Sequence, residues 1–130
     1  MTNPQSLPDL EVYVASKSLE PIIQWLSDYF DQLTPFKRRG MPKNAQSFQA
    51  QKGDQQWPVI LMENVVPGFS SVWIDSPNAP WPDDQTLARA LFASLNLEVR
   101  ATAGGWQTGD EPDKWWCINE DGEAEIHWKS

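Results

Sequence analysis

The chain has 130 residues, one cysteine and a formal net charge of −8. That length favours one domain with a core that needs no staples, and Cys117, being alone, excludes an intrachain disulfide and points to a reducing compartment, most simply the cytoplasm. Residues 1–65 hold 6 basic and 7 acidic side chains and residues 66–130 hold 4 and 11; such a field repels a phosphate backbone and argues against nucleic acid, while no apolar run is long enough for a membrane span.

Residues 1–8 read as a flexible N-terminal tail without the charged start and apolar run of a signal peptide, and residues 9–130 as one globular domain. Residues 10–14 alternate as a strand. Ser18 is a candidate N-cap for a helix whose apolar face is Ile22, Ile23, Leu26, Tyr29, Phe30 and Leu33, with Pro35 preventing helix beyond Thr34. Three strands follow: a short basic one at 36–39, a weakly alternating one at 46–51, and 57–66. In the last, Val59, Ile60, Leu61 and Met62 run without alternation, as a strand covered on both faces does. Lys52-Gly53-Asp54 supplies the turn between the second and third.

The series then restarts. Residues 69–75 form a strand, and a loop through Pro77, Pro80, Trp81 and Pro82 leads to Asp83 or Asp84 as a helix cap. Leu87, Ala88, Leu91, Phe92 and Leu95 make the buried stripe and Asn96 stops the helix. Strands are expected at 97–102, 115–119 and 123–129, the last two joined by a turn at Asp121-Gly122. The order βαβββ thus occurs twice, so the predicted fold is α+β, with two modules at about 9–66 and 69–129 forming a curved mixed sheet with one helix each. A ferredoxin-like α+β sheet is the alternative.

No motif here identifies a reaction. Cys117 lies in an aromatic strand and reads as a buried, inert thiol. The acids of 110–125 read as a solvated, charged loop and hairpin. Gly104-Gly105-Trp106-Gln107-Thr108-Gly109 lacks the Lys-Ser or Lys-Thr of a phosphate cradle. His127 reads as a half-exposed strand residue. Glu63 interrupts an apolar strand: either it is buried with a partner or a wet cavity, or it marks the exit of the strand to solvent. The eight tryptophans stand out. Trp25 and Trp73 fit a core by pattern. Trp115 and Trp116, adjacent in a strand, must point to opposite faces. Trp81 and Trp106 sit in loops, where aromatic side chains often mark binding.

The element order resembles the vicinal oxygen chelate superfamily, which includes glyoxalase I and the bleomycin resistance proteins. The likeness is carried by residues 83–91 leading into 97–100, and by Trp116-Cys117-Ile118-Asn119-Glu120-Asp121-Gly122, which looks like the family's aromatic strand entering an acidic-Gly turn. It implies a ligand held in a cleft between modules, and often a dimer; a homodimer is therefore expected. The metal-dependent members place a His or Gln on the first strand and a Glu on the last strand of each module. Here those strands offer Glu11, Asp75, Glu63 and one of Glu123, Glu125 or His127, so the metal-free, non-enzymatic branch is the one implied, with no cofactor. The expected function is a metal-free protein that binds or sequesters a cationic or aromatic small molecule in an aromatic, acidic cleft built from Trp81, Trp106, Trp115, Trp116, Glu63 and Asp75. The alternative is an acidic protein–protein interaction module, of inhibitor or immunity type, for a basic partner.

Overall fold

The computed structural model describes residues 9–37, 39–102 and 114–128; the predicted tail at 1–8 and Trp106 lie outside them. In chain order the elements are β1 (Leu10–Val14), α1 (Glu20–Tyr29), β2 (Gln32–Phe36), β3 (Ala45–Lys52), β4 (Gln55–Val66), β5 (Phe69–Ile74), α2 (Asp84–Leu95), β6 (Val99–Thr102), β7 (Lys114–Asn119) and β8 (Gly122–His127). The fold is α+β. All eight strands join one open antiparallel sheet in the order β2-β3-β4-β5-β1-β6-β7-β8.

Strand–helix–three strands does occur twice along the chain, but the two halves are not placed equivalently. The central pair is β1 and β5. On one side β5 is flanked by β4, the last strand of the first series; on the other β1 is flanked by β6, the first strand after the second helix. The first series therefore runs back toward the centre of the sheet and the second runs away from it.

One face of this sheet carries both helices. Leu10, Val12 and Val14 of β1 share a cluster with Phe48, Ala50, Val59, Leu61, Val72, Ile74, Val99, Ala101 and Ile118, and with Ile22, Trp25 and Leu26 of α1 and Leu87, Ala88 and Leu91 of α2. These sheet residues lie in register: Val12 stands opposite both Val72 and Ala101, Leu61 opposite Val72, and Val99 opposite Ile118. Strand alternation sends the intervening residues, among them Tyr13, Ile60, Ser71, Trp73, Arg100 and Cys117, to the opposite face, which carries no helix among the described residues and is called the helix-free face below.

Local chemistry explains where the helices stop. Asp83 caps α2 by accepting a 2.7 Å hydrogen bond from the Thr86 N–H, and Asn96 closes it in the left-handed region at φ 57°. α1 is shorter than its periodicity predicts. Phe30 turns extended, the Asp31 N–H donates to the Gln51 carbonyl, and the Asp31 carboxylate accepts from the Gly53 N–H at 2.8 Å. These bonds pull the chain into β2, so Leu33 and Pro35 lie in a strand and not in or just past a helix; the strand expected at 36–39 is instead 32–36. β2 is an edge strand, the position in a sheet that tolerates a proline. No helix among the described residues is long and apolar enough to cross a membrane.

Candidate functional site

An antiparallel sheet with helices on one face ordinarily shows water a polar second face. This one does not. Ile60, on this face, is only 3 % exposed, and Ser71 of the neighbouring β5 and Cys117 of the distant β7 are buried on it too. The uninterrupted apolar run of β4 is therefore covered on both sides, as its lack of alternation predicts.

That face carries an aromatic cluster around one cation. Tyr13, Trp115 and Trp128 meet edge to face, each pair with ring centroids 5.4 Å apart. Phe69 joins them at 5.0 Å from Trp128. Trp128 follows β8, which lies four strands from the β5 strand of Phe69. In a flat sheet that separation would be roughly 19 Å, so the sheet curls toward this face, or the end of the chain folds back across it, and the rings converge.

Arg100 is clasped by the cluster. Its guanidinium lies 4.6 Å from the Phe69 ring and 4.4 Å from the Trp128 ring, a stacking geometry that suits a planar cation. Its Nε–H donates to Glu98 Oε2 at 2.7 Å, with the two side chains 19 % and 27 % exposed. Asn119 Nδ2 donates weakly to Glu98 Oε1 at 3.5 Å. Burial works against the Glu98 carboxylate, but the hydrogen bonds from Arg100, Cys117 and Asn119 and the charge of Arg100 outweigh it and hold its pKa below the ordinary value. Burial pushes the Cys117 thiol up, and its bond to Glu98 adds to the rise, which keeps it protonated and unreactive. Burial also raises Tyr13, with the Glu11 charge adding to it.

At the other end of β1 the surface is acidic. The Glu11 N–H donates to Asp84 Oδ1 at 3.2 Å, and the Trp73 indole donates to Asp9 Oδ2 at 2.7 Å. The Glu11 side chain reaches solvent, yet burial first, and then Asp9 and Asp84, raise its carboxyl pKa. Among the described residues no group of three His, Cys, Asp or Glu side chains comes together to hold a metal ion.

The residues expected to share one cleft are spread over the molecule. Trp81 is on the helix side, 8 % exposed, stacked 5.5 Å from Trp25 and 4.9 Å from Tyr29. Trp115 and Trp116 do point to opposite faces: Trp115 joins the Arg100 cluster, while Trp116 packs toward the helix-side core, and its indole donates to Glu123 at 2.9 Å, a carboxylate that also binds Arg89 of α2. Glu63 is exposed inside β4, where the β4–β5 register shifts and Asn64 takes φ 50°, so it faces solvent at an irregularity of the strand and not at its end. Asp75 is half-buried past β5, its N–H donating to the Pro58 carbonyl at 3.0 Å. Trp73, expected in the core, is half-buried on the helix-free face.

Sequence reasoning missed Tyr13, Phe69, Glu98, Arg100 and Trp128 as a group. The alternation in 10–14 and 97–102 does set Tyr13 and Arg100 apart from their buried neighbours, but only the pairing of β1 with β6, which puts Tyr13 opposite Arg100, brings them together. A groove of about 530 Å³ between α1 and α2, away from this cluster, is lined by Trp25, Asp28, Tyr29 and Leu95 among others. Its polar groups already answer one another, Gln24 Nε2 donating to Asp28 Oδ1 at 3.0 Å. No family model matches the chain, and neither a curated protein nor a solved structure does.

Proposed function

We propose that the protein binds a small planar ligand on the helix-free face of its sheet, without metal and without turnover, in the manner of a carrier or sequestering protein. The observation that carries this reading is the set of half-buried rings of Tyr13, Trp115 and Trp128, held edge to face around a fixed charge on a face that no helix covers. Rings in this arrangement offer apolar area and a polar handle together, as small-molecule sites do.

The reading is tested by screening planar aromatic compounds against the protein while following indole N–H resonances. Ligands should shift Trp115 and Trp128, and Trp115→Ala and Trp128→Ala should each weaken binding at least about tenfold, the scale of losing one stacking contact. Compounds that bind equally well to both variants would place the site elsewhere and end the proposal.

A second reading draws on the β8 edge, where Glu123 and Glu125 are exposed beside Glu120 and Asp121. An acidic edge strand suits a basic protein partner. Affinity for such a partner would fall steeply with added salt, whereas stacking in an aromatic site would change little.

A further inference from the structure

We infer that the ligand of this face carries a carboxylate on its planar ring, and that the carboxylate docks on the outer edge of Arg100. The inference rests on the ligand-binding reading above and adds the ligand's charge class.

The guanidinium is fixed from three sides. Phe69 and Trp128 hold its faces, and Glu98 holds Nε–H at 2.7 Å. What remains is the Nη edge. Among the described residues no oxygen accepts from Nη1 or Nη2, and the Cys117 sulfur that lies against Arg100 is a weak acceptor. The Arg100 side chain is 19 % exposed, so an acceptor arriving from solution can reach these donors in place of water. A forked pair of N–H groups matches the two oxygens of a carboxylate, and the flanking rings of Tyr13 and Trp115 match a flat body attached to it.

The alternatives fit less well. A cationic ligand would want the aromatic faces and the Glu98 charge, and Arg100, tethered in place, already holds both. A dianion such as phosphate meets more repulsion, because Glu98 sits on the same guanidinium and the Glu11 charge is felt as far as Tyr13. A monoanion gains the fork with the smaller penalty.

Three probes with one ring separate the charge classes: benzoate, benzamide and benzylammonium, each titrated into the full chain and read from the Trp115 and Trp128 indole resonances and the Arg100 Nε–H resonance. Benzoate should bind about tenfold tighter than either of the others, the worth of one charge-assisted hydrogen bond in a partly wet site, and should move the Arg100 signal. Arg100→Met should remove that advantage, so that benzoate and benzamide bind the variant alike. Because Met leaves Glu98 without its partner, the double variant Glu98→Gln/Arg100→Met repeats the test with no charge stranded. Preference for benzylammonium, or a benzoate advantage that survives both variants, overturns the inference. Equal binding of benzoate and benzamide at the two indoles overturns it too, yet leaves the binding reading standing. If none of the three probes moves either indole, the binding reading falls with it.

Discussion

The two faces of the sheet use the same side chains to different ends. On the helix side Trp25, Tyr29, Phe30, Trp57 and Trp81 meet with ring centroids 4.9 to 6.2 Å apart, in stacked, tilted and edge-to-face pairs. The one polar atom of Trp57 is answered inside the protein, its indole donating to the Asn78 carbonyl at 2.7 Å. On the helix-free face Tyr13, Phe69, Trp115 and Trp128 are half-buried, and they surround an ion pair where the first group surrounds a further ring. Aromatic content alone does not separate core from binding surface. The difference lies in whether the rings close over one another or enclose an ion pair among them.

That contrast sets the order of expected effects. Truncating Trp81 to alanine opens a cavity between α1 and the loop before α2, and should cost about 3–5 kcal/mol of stability in urea unfolding, the range for a large buried aromatic. Trp128→Ala removes a half-exposed ring and should cost about 1 kcal/mol, while having the larger effect on ligand binding. Equal losses for the two variants would mean that the helix-free face is a second packed core, and the contrast would collapse.

A gentler pair of substitutions sharpens the same point. Trp57→Phe keeps a ring in place but loses the bond to the Asn78 carbonyl, and should cost about 1 kcal/mol through that hydrogen bond in addition to the lost volume. The Trp115 indole makes no hydrogen bond among the described residues, so Trp115→Phe should change stability by less than about 0.5 kcal/mol. The melting temperatures of the two variants, compared side by side, decide whether the indole N–H groups on the two faces are differently committed.

Much of the scaffold was legible because it follows from local chemistry. Strand 10–14, a cap at Asp83 or Asp84 and the Asn96 stop each depend on a few adjacent residues, and strand, cap (at Asp83) and stop stand where those residues predict; the hairpin expected at Asp121-Gly122 turns one residue earlier, at Glu120-Asp121, with Gly122 opening β8. α1 was misjudged at its end because the bonds that unwind it, from Asp31 to Gln51 and Gly53, come from a hairpin some twenty residues later in the chain. The site failed to be legible for the same reason on a larger scale. Trp81 reads as an exposed loop indole until α1 supplies Trp25 and Tyr29 to cover it. Arg100 reads as an ordinary strand residue until β1 and β7 bring Tyr13 and Trp115 to either side. Opposite facing of Trp115 and Trp116 was certain from alternation; which of them would find the cation depended on strand order, and strand order departs from the simple repetition that the pattern suggests.

The smallest expected effect concerns the acidic end of β1, which tunes the helix-free face without belonging to the ring cluster. Burial and the charges of Asp9 and Asp84 raise the Glu11 pKa in the folded chain. A carboxyl whose folded pKa lies above its unfolded one binds more protons in the native state across that interval, so its contribution to stability falls as pH rises through the interval and is a net penalty at neutral pH. Glu98 and Glu123 are shifted the other way, so the stability they contribute at neutral pH is lost on acidification. Glu11→Gln removes only the first contribution. The variant should therefore be slightly more stable than the parent at neutral pH, and the difference should fade as pH drops through the raised Glu11 pKa, because the parent protonates there, while the losses from Glu98 and Glu123 cancel between the two proteins. Paired urea titrations at several pH values measure that difference directly. A variant that is less stable at neutral pH would show that Glu11 is held by attraction and not crowded by like charge, and the negative field invoked over Tyr13 would lose its source.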